Sequence, residues 1–115
     1  MSEATISTHA LEQHALKLQE HGLKVEQWGK RLQERSDQLA LEHGQLIEEC
    51  GQLIQQKAKE SLAYTQVALE QKDDSPELII LIAETQSEAR AAFIQATIIY
   101  VQMLKKRIEL VGKHL

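Results

Sequence analysis

From Leu11 onward an apolar residue stands at every seventh position without a slip: Leu11, Leu18, Val25, Leu32, Leu39, Leu46 and Leu53. A strict seven-residue apolar period marks a helix that packs lengthwise along another helix. It is incompatible with strands, whose side chains alternate faces every residue. The chain is therefore expected to be all-α and to make its contacts through helix seams.

The remaining composition agrees. One Pro and five Gly in 115 residues leave few places to interrupt a helix, and aromatics are only 3%. Such a chain has no wide globular core. It buries Leu, Ile and Ala along thin helix–helix contacts instead. The one strong break is Lys72-Asp73-Asp74-Ser75-Pro76. Ser75 suits the N-cap, Pro76 the first helical position and Glu77 the positive end of the helix dipole.

These signals predict one domain over 1–115. It consists of a flexible N-terminus at 1–7, a long helix 1 over 8–71, a turn at 72–75 and helix 2 over 76–113. Ser7 is the expected cap of helix 1, with Ile6 packing on Leu11 as a staple. A connection this short makes the helices antiparallel neighbours. At 1.5 Å per residue helix 1 is about 95 Å long and helix 2 about 57 Å. Residues 8–32 are then expected to overhang the hairpin. The apolar stripe widens beyond residue 39, where Ala40, Ile47 and Ile54 join Leu39, Leu46 and Leu53, and a wider stripe means more than one packing neighbour. The expected fold is thus a long antiparallel helical hairpin, or coiled coil, that forms a helical bundle as an oligomer. The alternative is a compact three-helix bundle with a break near Gly44–Gly51, where each Gly costs a helix about 1 kcal/mol relative to Ala.

Two surfaces follow as candidate contact sites. Within the overhang, Leu11, Leu18 and Val25 form one wall and Leu16 and Leu23 another, with Leu32 next in the heptad column. Ala15, Gly22 and Gly29 form a floor of small residues, with Trp28 at the flank. Small residues at this spacing let two helix backbones approach closely. The arrangement reads as a groove for a partner helix or a second copy; the plainer alternative is a helix weakened by its glycines. On helix 2, Phe93, Ile94, Ile98, Tyr100, Val101, Leu104, Ile108 and Val111 belong to an apolar circumference too wide for one facing helix to cover. Its burial calls for a homodimer or higher homo-oligomer, or for another protein.

No constellation for chemistry stands out. The chain has no GxSxG, P-loop or HExxH sequence, so no catalytic, cofactor-binding or metal-binding residues are expected. His14 and His21 stand seven apart, about 10 Å along a helix, too far to share one ion bound at roughly 2.1 Å. They read as seam-flanking polar residues, with a pH-sensitive contact as the sharper alternative. Cys50, the single cysteine, reads as a small buried residue in a reducing compartment, since Glu48 and Glu49 disfavour a thiolate. Formal charge is −4, which disfavours nucleic acid. Lys105, Lys106, Arg107 and Lys113 suit the negative end of a helix dipole. The apolar runs are far short of the roughly 20 residues that a membrane span needs, and MSEATISTHA has no signal-like apolar core. A cytoplasmic location is expected.

The segment Ala96-Thr97-Ile98-Ile99-Tyr100-Val101, with Leu104-Lys105, is similar to the second helix of the small hairpin co-chaperones of bacterial type III secretion. The break Asp74-Ser75-Pro76-Glu77-Leu78 is similar to the bend of needle and inner-rod subunits of those systems. The resemblance implies a chaperone-like role for a helical hairpin. The expected function is a non-catalytic protein–protein interaction module, adaptor or small chaperone binding a partner helix. A self-assembling structural subunit or secretion-system component is the first alternative, and a small helical regulator of nucleic acid the second.

Overall fold

Asp37 divides the long amino-terminal helix in two. A computed structural model describes residues 8–73 and 75–113. It contains three helices: α1, Thr8–Gln33; α2, Gln38–Gln71; and α3, Pro76–Gly112. The all-α class holds, but the expected continuous helix over 8–71 is replaced by α1, a tight turn and α2. The three-helix alternative has the right number of helices and the wrong break. Gly44 and Gly51 both lie inside α2. Ser7, Ile6, Asp74 and Leu115 lie outside the described residues, as does the expected flexible segment 1–7.

The turn is built from local bonds. Glu34 and Arg35 N–H groups donate to the Arg31 and Leu32 carbonyls, both at 3.2 Å, which tightens the end of α1. Asp37 then takes an extended backbone conformation, and its carboxylate accepts from the Ala40 N–H at 2.8 Å. This is the N-cap geometry that satisfies an otherwise orphaned amide of the new helix. At the second turn Ser75 caps α3, accepting from the Leu78 N–H at 3.4 Å, and Pro76 opens the helix. α2 ends on Lys72, whose φ of 51° places it in the left-handed region.

No overhang remains at the amino-terminal end, because α1 folds back along α2. Gly29 faces Gly44 and Gly22 faces Gly51, so the two helices run antiparallel. A Cβ built on Gly44 would stand 2.7 Å from the Gly29 carbonyl oxygen, and one on Gly22 would stand 2.8 Å from the Gln55 amide nitrogen. Backbone therefore touches backbone where the glycines meet. Leu18, Val25 and Leu32 of α1 bury beside Ala40, Ile47 and Ile54 of α2. Leu46 and Leu53, by contrast, are exposed. The heptad register thus shifts by one residue across the turn, from the Leu32 column to the Ala40 column.

α3 returns antiparallel to α2 and lies against both other helices. Its inward face is Ile82, Thr85, Gln86, Ala89, Ala92, Ala96, Ile99 and Met103. Gln86 joins all three helices: its Nε2 donates to the Leu11 carbonyl of α1 at 3.2 Å and to the Ser61 hydroxyl of α2 at 3.0 Å. At the far end Arg107 Nη2 reaches Asp37 Oδ1 at 2.9 Å. That contact marks where α2 begins, so the last turn of α3 projects beyond it. The resulting bundle measures 66 Å along its longest axis.

Candidate interaction surface

The amino-terminal groove is occupied by the chain itself. Ala15, Leu18, Gly22, Val25, Gly29 and Leu32 are all buried, and α2 supplies the ridge that the glycine floor admits. The expectation that these residues await a partner is corrected by the turn at 34–37, which brings α2 back over them. Leu11 is half-buried, and only Leu16 and Leu23 remain exposed. The rim of this seam is polar. Gln55 and Gln52 donate to the Glu26 carboxylate at 2.9 and 3.2 Å. These hydrogen bonds, led by Gln55 and aided by nearby Lys30, hold the Glu26 carboxyl below its ordinary range.

The column beside the groove turns toward α3. Arg90 Nη1 donates to His14 Nε2 at 3.1 Å. His21 lies against Phe93 with ring centroids 6.0 Å apart, and Trp28 against Tyr100 at 4.9 Å. His14, His21 and Trp28 therefore form the α1 side of the α1–α3 contact. Burial first, then the Arg90 charge, with Lys17 and His21 behind them, pushes the His14 ring below its ordinary value. Among the described residues no three His, Cys, Asp or Glu side chains converge in a way that could hold a metal ion. Cys50 is half-buried, and burial together with Glu49 pushes its thiol up.

What stays open is the outer face of α3. Ile94, Ile98, Val101, Leu104, Ile108 and Val111 are exposed, Ile94 by 58% and Ile108 by 70%. They stand three or four residues apart, which keeps them on one helical stripe. Phe93 is exposed at its edge, while Tyr100 is half-buried under Trp28. Large aliphatic side chains in such a row exceed the scattered exposure usual for a surface. A crevice of about 300 Å³ opens beside the stripe, between His14, Leu18, His21, Ile54, Arg90 and Ile94.

Two features escaped the sequence. The turn at Asp37 is signalled by Ser36-Asp37 before the Leu39-Ala40 run, a capping pattern as clear as Ser75-Pro76. The polar set Ser61, Thr65 and Gln86 is visible as polar residues at helical spacing within otherwise inward columns.

Among the described residues, fold and surface together define an all-α three-helix bundle whose α3 leaves a row of large aliphatic side chains uncovered. No family model, curated protein or solved structure matches the chain. No described helix is long and apolar enough to cross a membrane.

Proposed function

We propose that this chain is a non-catalytic helical interaction module that takes a partner helix along the outer face of α3. The observation that carries the reading is the exposed row from Ile94 to Val111, on a helix whose opposite face is already buried against α1 and α2. An apolar stripe at this spacing recognises another helix through side chains set into its grooves. Adaptor and small-chaperone roles are both served by such a face, and a cytoplasmic setting suits the single free thiol at Cys50.

A photo-reactive amino acid at Val101, irradiated in the native cell, tests the reading. The expected result is a protein adduct through α3. The same probe at Lys24, on the exposed side of α1, gives none. Equal labelling at both positions, or no protein adduct from Val101, sinks it.

A further inference from the structure

The outer stripe of α3 is uneven along its length. Between the exposed Ile80 and Ile94 its first half carries the small residues Ala83, Ser87 and Ala91, whereas its second half carries Val101, Leu104 and Ile108, all exposed. Charge is graded in the same direction. Glu84 and Glu88 accompany the small residues, with Arg90 beside them turned to His14 of α1, and Lys105 and Lys106 accompany the large ones. A foreign helix would not require the two halves of α3 to complement each other. A second copy of α3 running the opposite way requires it. Resting on the reading of this face as a helix-binding surface, we infer that its occupant is α3 of a second copy, antiparallel, with the two-fold axis between Ile94 and Ile98.

In that register Ala91 meets the partner's Val101, Ser87 the partner's Leu104, and Ala83 the partner's Ile108. Each of these three layers joins one small and one large side chain, the arrangement that fills an interface without voids or overpacking. Ile94 and Ile98 pair with each other across the axis, and Ile80 meets the partner's Val111. The seam from Ile80 to Val111 is about 47 Å long at 1.5 Å per residue. Glu84 and Glu88 bracket the partner's Lys105, so opposite charges face each other on the rim, where Glu88 already has Lys57 of its own α2 at 3.4 Å. Glu109 lies four residues from both Lys105 and Lys113 and has cations on its own helix. A parallel pair would set small on small, large on large, Glu84 on Glu84 and Lys105 on Lys105. The antiparallel two-fold uses the same patch on both copies and closes at two.

Cysteine pairing reads the register directly. Ala91→Cys and Val101→Cys are made separately, each with Cys50→Ser, and helix content is checked by circular dichroism. Mixed and oxidised, they are expected to give a disulfide-linked dimer that neither variant gives alone. Sedimentation of the unaltered chain is expected to show twice the monomer mass. Efficient crosslinking of either variant with itself means a parallel pair and overturns the inference. A monomer mass at every concentration also overturns it, whatever the variants do. That failure is separable from failure of the helix-binding reading, because Val101 would still crosslink to a different protein if α3 served one. A double variant, Glu84→Lys with Glu88→Lys, should lose the doubled mass and recover it when mixed with Lys105→Glu. Loss without recovery counts against the charge pairing and against this register.

Discussion

Gly29 and Gly44 meet across the α1–α2 seam so closely that a Cβ on Gly29 would stand 2.5 Å from the Gly44 carbonyl oxygen. Nothing in that contact can swing aside, because the opposing atoms are backbone. A methyl group there forces the two helices apart along the seam that buries Leu18, Val25 and Ile47.

Gly29→Ala and Gly51→Ala are therefore expected to destabilise the bundle. Alanine improves intrinsic helix propensity by about 1 kcal/mol. Overpacking against backbone costs about 1–3 kcal/mol and here is expected to prevail. A Cβ on Gly112 has nothing within 4 Å, so Gly112→Ala should be neutral or slightly stabilising. Urea midpoints of the three variants check this. A gain in stability for Gly29→Ala would contradict the close approach.

Gln86 links all three helices through polar contacts, and its replacement separates polar satisfaction from packing. Gln86→Leu keeps the bulk but leaves the buried Ser61 hydroxyl without its α3 donor. Such a loss costs about 1–3 kcal/mol. Adding Ser61→Ala to Gln86→Leu should recover part of that loss, since removing both partners is milder than removing one. Thermal unfolding of the single and double variants reads the difference, and additive effects would show that the bond contributes nothing.

The helical class was legible in the heptads, and the second turn in Ser75-Pro76, because both signals are local. The fold of α1 onto α2 was not read, for a physical reason. A seven-residue repeat states that a helix packs on something, but not whether the neighbour is the same chain. The phase carried the missing information. Gly22 and Gly29 lie in the column of Ala15, whereas Gly44 and Gly51 lie one residue out of that column. A turn between them is what realigns the two sets. The apolar excess of α3 was legible because one facing helix could not cover it, and the row from Ile94 to Val111 is exposed. The groove at 11–32 was read as a seat for a partner or a second copy, and its occupant is α2.

Asp37 both caps α2 and receives Arg107 from α3, so its removal should loosen two junctions together. Loss of an N-cap side chain costs about 1 kcal/mol. The half-exposed ion pair adds a few tenths at most, because solvent screens it. Asp37→Ala should lower the unfolding midpoint, whereas Asp37→Ser should retain most of the stability by keeping the cap without the charge. Hydrogen exchange at the Ala40 amide localises the effect. Unchanged protection there in Asp37→Ala would show that the turn is held by other contacts.

His14 gives the bundle a pH dependence whose sign is fixed by its neighbours. Arg90 of α3 donates to Nε2, which requires that nitrogen to be unprotonated. Burial, then Arg90, then Lys17 and His21 of α1 lower the folded-state pKa below 6.5. The unfolded chain therefore takes up the proton first as pH falls. Stability is complete above about pH 6.5, declines as pH drops below that value, and levels off once the folded ring also protonates. Urea midpoints should fall between about pH 8 and about pH 5.5, with a shallower fall in His14→Gln, whose side chain stays neutral. Identical slopes for the two proteins would show that the Arg90–His14 contact does not couple α3 to α1 in solution.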